Sequence, residues 1–234
     1  MPLSKYQTIR PVPGLGRVPG PAGDRRRGKI GLLGGSFNPA HDGHLHVSRQ
    51  ALKHLGLDQI WWLVTPQNPL KDRKGMAPEA VRRASAQQIA REDRRIRVTT
   101  LEHAFGTQYT ADTMVVLKRR FPKARFVFLI GADNLIQLPR WDRWERLMTT
   151  VPIAVFDRAP YSVRALAGLA ARRYRPFRRV GNRCFGLAQA TPPAWVFLPI
   201  RKHAASATDL RARGWGALES KAQSDAERNG EDDS

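Results

Sequence analysis

Two histidines three positions apart, His41 and His44, follow a pair of glycines, Gly34 and Gly35, in the string GGSFNPAHDGH. These residue types suit a polyphosphate. A glycine has no Cβ, so its backbone can turn tightly and lie close to an anion. An imidazole donates a hydrogen bond to a phosphoryl oxygen and adds positive charge when protonated. A helix that begins near Asp42 or Gly43 turns both imidazoles toward the same phosphates. The unsatisfied N–H groups and the dipole of its first turn favour an anion there. Ile30–Leu33 reads as a buried strand, so the stretch predicts strand, glycine turn and helix N-terminus, the arrangement that cradles nucleotide phosphates. A strand–helix turn with two surface histidines is the plain alternative. It would suffice for a lone Gly-Gly pair, but not for the whole string.

Other stretches carry chemistry less distinctly. Lys71 and Arg73 lie in a loop, PQNPLKDRK, at the carboxyl end of a second strand, the edge where open α/β sheets bind ligands; they suit a substrate phosphate or a solvated charge run. Tyr109-Thr110 opens a helix, with Thr110 as an N-cap. Asp133, just after the fourth strand, suits a ribose hydroxyl, a metal-bound water or a helix N-cap. Trp141, in PRWDRW, offers a flat face to a base or packs in the core. Ser206, Thr208 and Arg211 in ASATDLR suit a second anion clamp of backbone N–H groups and a guanidinium fork, or a plain helix cap.

The elements that must hold these residues alternate. Strands are expected at Ile30–Leu33, Ile60–Thr65, Ile96–Thr100, Arg125–Ile130, Ile153–Phe156 and Trp195–Leu198. Helices are expected at His46–Leu55, closed by Gly56, at Pro78–Ala90 with Val81, Ala84 and Ile89 as its apolar markers, from Thr110, and at Ser162–Arg173. Pro176–Pro193 reads as loop. Alternation of this kind predicts an α/β fold, a Rossmann-like, doubly wound, mostly parallel sheet, over residues 29–213. Residues 1–28, rich in Pro and Gly with Arg25–Arg27, predict a disordered basic extension; residues 214–234 predict a disordered acidic tail.

Composition narrows the class. The 234 residues include 40 Lys+Arg against 20 Asp+Glu, a net charge of +20, which suits polyanionic partners. Cys184 is the only cysteine, so an intrachain disulfide and a cysteine-based zinc site are excluded and a reduced, cytoplasmic setting fits. No apolar run is long enough to cross a bilayer.

In order, GGSFNPAHDGH, TPQNPLK, QYTADT, IGADNLIQLPRWDRW and ASATDLR resemble the motifs of the bacterial nicotinate-nucleotide adenylyltransferases, members of the HIGH-type nucleotidyltransferase superfamily. The resemblance spans about residues 29–213. It implies transfer of an adenylyl group from ATP to nicotinate mononucleotide, with pyrophosphate released, on the route to NAD. It implies that Gly34, Gly35, Ser36 and Phe37 bind the ATP phosphates, with His41, His44 and Arg211 as catalytic residues. Gly131, Asp133, Ser206 and Thr208 would complete the ATP site. Lys71, Tyr109, Thr110, Trp141 and Asp142 would hold nicotinate mononucleotide. Mg²⁺ would arrive on the ATP phosphates, with no protein metal site; neither membrane nor nucleic acid is expected as a partner. The chain departs from the family pattern at Ala205, Ala207 and Asp209 in the last motif and at Leu70 in the loop. Two other classes share features with it: phosphopantetheine adenylyltransferases and cytidylyltransferases, through the first motif, and a nucleic-acid-binding or regulatory module, through the charge and the altered last motif.

Overall fold

The structure is a computed structural model that describes residues 16–66, 76–158 and 160–200. Seven strands form one sheet: β1 (Gly28–Gly35), β2 (Gln59–Val64), β3 (Ile96–Thr99), β4 (Ala124–Gly131), β5 (Ile153–Phe156), the two-residue β6 (Arg178–Arg179) and β7 (Trp195–Leu198). Their order is β3-β2-β1-β4-β5-β7-β6, and every pairing is parallel. Between them run α1 (Asp42–Leu55), α2 (Glu79–Ala90), α3 (Leu101–Phe105), α4 (Thr110–Arg120), α5 (Ala132–Gln137), α6 (Trp144–Thr150), α7 (Ser162–Ala167) and α8 (Leu169–Arg173).

A parallel sheet buried on both faces demands apolar residues at successive positions, each pointing to the face opposite its neighbour's. The strands obey. Trp61 and Leu63 of β2 join one core with α4, α5 and α6, while Ile60, Trp62 and Val64 join the other with α1 and α2. In β4, Phe126, Phe128 and Ile130 divide likewise from Val127 and Leu129. The sheet reverses direction of growth between β1 and β4. That switch point sets Gly34-Gly35 and Gly131 side by side at the carboxyl ends of the two strands, the place where open α/β sheets bind ligands.

Several local expectations change. Of the apolar markers on α2, Ala84 is exposed, and the fully buried positions are Arg82, Ala86 and Ala90. The helix expected over Ser162–Arg173 divides at Gly168, whose backbone is extended. Helices α3, α5 and α6 are additions, and so is β6, which lies inside the stretch Pro176–Pro193 expected as loop. Residues 16–27 do not extend away from the domain. Arg26 is 5% exposed, stands over the rings of Trp61 and Phe121 at 5.2 and 5.5 Å and donates to Asp24 and to the Arg17 carbonyl. A guanidinium that stacks on two aromatic faces anchors a segment whose proline and glycine content gives no sign of packing. Residues 1–15 and 201–234 lie outside the described residues, and with them the acidic tail.

Candidate active site

The turn falls two residues beyond the glycine pair that the sequence implies. Gly34 and Gly35 belong to β1, neither at positive φ. A Cβ at Gly34 or Gly35 would meet its nearest neighbour at 3.7 and 3.5 Å, ordinary contact. The glycines are therefore not what lets the chain turn; a bare strand end that a phosphate can approach is what they contribute. The reversal falls at Phe37, at φ 47°, followed by the cis peptide Asn38-Pro39. A bulky residue at positive φ costs about 1–3 kcal/mol and persists where its surroundings hold it. Here they do: Phe37 is 1% exposed, stacked on Trp62 at 5.1 Å and tilted against His44 at 4.8 Å.

Helix α1 then starts at Asp42, as expected, with His41 as its N-cap. Two histidines take the place of the usual Ser and Glu in a capping box. His41 Nδ1 accepts from the Gly43 N–H at 3.0 Å, and His44 Nδ1 accepts from the His41 N–H at 3.2 Å. With Nδ1 an acceptor in both rings, the neutral imidazole carries its proton on Nε2. The cap thus fixes the tautomer and the ring orientation together, and sets the two rings 4.0 Å apart. Helix α1 is in turn bolted to the sheet: Ser48 Oγ donates to the His44 carbonyl and accepts from Trp62 Nε1, each at 2.8 Å.

Across the switch point, Gly131 caps α5 and Asp133 is the second residue of that helix, so the N-cap reading of Asp133 does not hold. Its Oδ2 accepts from Arg158 at 3.2 Å, while Oδ1 is buried and has no hydrogen-bond partner among the described residues. A Cβ on Gly131 would sit 2.4 Å from that Oδ1, so only glycine leaves the carboxylate its place.

Tyr109 and Thr110 stand at the start of α4, but Tyr109 is the N-cap and Thr110 the first helical residue; among the described residues no side chain caps the helix. Its first N–H groups are therefore presented for an outside acceptor, a geometry that suits a carboxylate. Arg143 lies 5.0 Å over the Tyr109 ring and pairs with Asp112, which also accepts from Arg146 at 3.1 Å. The Asp112 hydrogen bond and charge push the Arg143 guanidinium above its usual value. Trp141 is half-buried against the α4–α6 core and Asp142 is exposed. The indole is thus part of the packing without being enclosed by it, which leaves both the core and the platform reading of Trp141 open.

Lys71, Ser206, Thr208 and Arg211 lie outside the described residues. Among the described residues no three of His, Cys, Asp and Glu gather as a metal site, and no helix is long and apolar enough to cross a membrane. Sequence reasoning missed Arg82, whose buried guanidinium backs the turn, and the Ser48–Trp62 brace. Neither has a motif. A charged residue on a helix reads as exposed, and a Ser–Trp bond between a helix and a strand has no sequence spacing to reveal it.

Comparison with known proteins bears on the family and the fold. The cytidylyltransferase-like family model matches residues 32–213. The chain is 51% identical over 190 residues to the "probable nicotinate-nucleotide adenylyltransferase" of Parvibaculum lavamentivorans, covering 81% of this chain and 94% of that one. It is 50% identical to the protein of the same name from Gluconacetobacter diazotrophicus, covering 81% and 88%. In three dimensions it is similar to the Plasmodium falciparum nicotinic acid mononucleotide adenylyltransferase complexed with NaAD, with a TM-score of 0.59 at 18% identity over 79% of this chain and 82% of that one. The parallel sheet, the histidine-capped helix at its switch point and half-identity to these relatives lead to one assignment: the chain belongs to the cytidylyltransferase-like family and, within it, to the nicotinate-nucleotide adenylyltransferases.

Proposed function

We propose that the protein transfers the adenylyl group of ATP to nicotinate mononucleotide, giving nicotinate adenine dinucleotide and pyrophosphate. The observation that carries this reading is the reciprocal His41–His44 cap, which presents two imidazoles of fixed tautomer at a helix N-terminus beside a bare glycine strand end. The 5′-phosphate of the mononucleotide attacks the α-phosphorus of ATP, a new P–O bond forms, and the bond to pyrophosphate breaks. A phosphate monoester is anionic near neutral pH, so the nucleophile needs no general base. The work left to the protein is alignment and stabilisation of charge. His44 donates from Nε2 to the α-phosphoryl oxygens, and His41 and Arg211 hold the triphosphate, with Ser206 and Thr208 as further ligands. The uncapped start of α4, with Tyr109, Thr110 and Trp141, receives the nicotinate ring and its carboxylate; Lys71 and Asp142 are assigned to the same mononucleotide.

Mg²⁺ fits as a companion of the triphosphate. Asp133 Oδ1, a hard oxygen donor buried with no hydrogen-bond partner among the described residues, would meet a water of the hydrated ion or a ribose hydroxyl. When bound, the ion neutralises charge on the departing pyrophosphate. The bacterial relatives and the lone cysteine support a bacterial, cytoplasmic setting.

The test is pyrophosphate release by the full chain from ATP and nicotinate mononucleotide, with nicotinamide mononucleotide in parallel. The expected outcome is turnover with a clear preference for the acid. Comparable kcat/KM for the amide would refute the acid specificity, and no turnover with either would refute the reaction.

A further inference from the structure

Arg82 is 1% exposed, and among the described residues it forms no ion pair with a carboxylate. A buried charge must be matched by polar groups, and here the groups are backbone carbonyls. Nη1 donates to the Ser36 carbonyl at 2.6 Å and to the Thr65 carbonyl at 2.8 Å. Nη2 donates to the Pro66 carbonyl at 3.0 Å, and Nε to the Ala77 carbonyl at 2.9 Å.

The placement of these carbonyls gives the arrangement its meaning. The β1–β2 register ends at Gly35 with Val64, followed by one more backbone bond from the Thr65 N–H to the Gly35 carbonyl at 3.0 Å. The next carbonyls on the two chains are those of Ser36 and Thr65, the pair that Nη1 joins. The guanidinium takes over where the sheet's own hydrogen bonding stops, at the carboxyl end of the strands and one residue before the strained Phe37. The same side chain, with Asn38 Oδ1 accepting from the Ala77 N–H at 3.1 Å, fastens the chain ahead of α2 to this turn. A planar fork with five N–H donors on three nitrogens can make these four bonds to three segments at once; an ammonium has three donors, all on one atom, and cannot make all four. The bond to the Ser36 carbonyl is charge-assisted, and it polarises the peptide whose N–H belongs to Phe37, in the turn that faces the triphosphate. Burial pulls the guanidinium below its usual value and the charge of Glu79 opposes that pull.

We propose that Arg82 is a positioning residue for adenylyl transfer: its four carbonyl bonds set the Ser36–Phe37 turn, and through it the His41–His44 cap, at the distance from the β2 end that in-line attack requires. The inference rests on the reaction proposed above.

The experiment compares full-length wild type with Arg82→Lys at a temperature where circular dichroism shows both folded. The expected result is a loss of about ten- to hundredfold in kcat/KM for ATP, as for other small misplacements of reacting groups, with KM for nicotinate mononucleotide within about twofold of wild type and the rise in Tm on adding ATP diminished. A folded Arg82→Lys protein with wild-type kcat and KM for ATP, changed only in Tm, overturns the proposal and leaves Arg82 a stabilising residue. A second measurement uses wild type alone. The Arg82 Nε–H resonance of isotope-labelled protein should shift when a non-hydrolysable ATP analogue is added; an unchanged resonance under saturating analogue also overturns it. Failure of the underlying reaction reads differently, as wild type without turnover.

Discussion

A histidine at the end of a helix can serve the fold, the chemistry or both, and the proposed reaction asks both of His44, through different atoms. Its Nδ1 accepts from the His41 backbone and secures the helix start; the proposed reaction assigns Nε2 to the phosphates. The two roles separate by substitution. His44→Ala should lower kcat by about two to three orders of magnitude, the usual loss of an oxyanion donor, and should cost about 1 kcal/mol of stability through the broken cap. His44→Gln restores an acceptor at the third position of the capping box, where glutamine is favoured. It should recover most of the Tm while kcat stays low. Steady-state kinetics and thermal unfolding on the same preparations check this, and normal turnover in either folded variant would remove His44 from the chemistry. The string GGSFNPAHDGH made these residues legible. The cap geometry was not, because Ser, Thr, Asp and Asn are the expected N-caps and imidazoles are not.

Elements decide where such residues meet. β1 and β4 are neighbours at the switch point, which brings Gly35 and Gly131, 96 positions apart, to one end of the sheet. The hydrophobic runs predicted these strands closely, and Ile153–Phe156 and Trp195–Leu198 match residue for residue. The short helices were harder. α3 and α6 hold five and seven residues, too few to show helical periodicity and held by packing instead. Helix α2 misled for another reason: its buried face carries Arg82, so an apolar stripe is not how that face is marked. At the start of α5, the close approach of Gly131 to Asp133 makes a specific prediction. In Gly131→Ala the new Cβ, 2.4 Å from Oδ1, must displace the carboxylate. KM for ATP should rise severalfold with the far-UV spectrum unchanged. Wild-type KM for ATP would show that the Asp133 position is immaterial.

At the scale of the whole molecule, burial and charge govern stability. Glu102, at the start of α3, is 7% exposed, and burial raises its carboxyl to about 7 from 4.5. The folded state therefore binds the proton more tightly than the unfolded chain. Stability from this group is fully present below pH 4.5 and is lost as pH rises through about 7. By linkage the loss amounts to about 3 kcal/mol. Glu102→Gln should flatten the dependence of Tm on pH between 5 and 8 relative to wild type and should be the more stable protein at pH 8. Parallel pH profiles of the two proteins would overturn this reading. Charge is uneven at the same scale. From residue 158 to 208 the chain has ten arginines and lysines and no aspartate or glutamate, half of its net +20. Much of it sits by β6 and β7, where Arg172, Arg175 and Arg178 line a cavity of about 190 Å³ with Trp195. Four strand spacings, about 19 Å, separate β6 from β1.

The sequence by itself determined the class of fold, the family and the glycine–histidine signature. Periodicity of apolar residues and a run of special residue types are local properties, written in adjacent positions. Only the tertiary structure decided that the turn bends at Phe37 rather than at the glycines, that Asp133 faces Gly131 and Arg158, that Arg26 ties the N-terminal segment to the sheet, and that Arg82 lies behind the turn. Each of these is set by contacts between residues far apart in the chain or by room left over after packing, and neither quantity exists until the chain has folded.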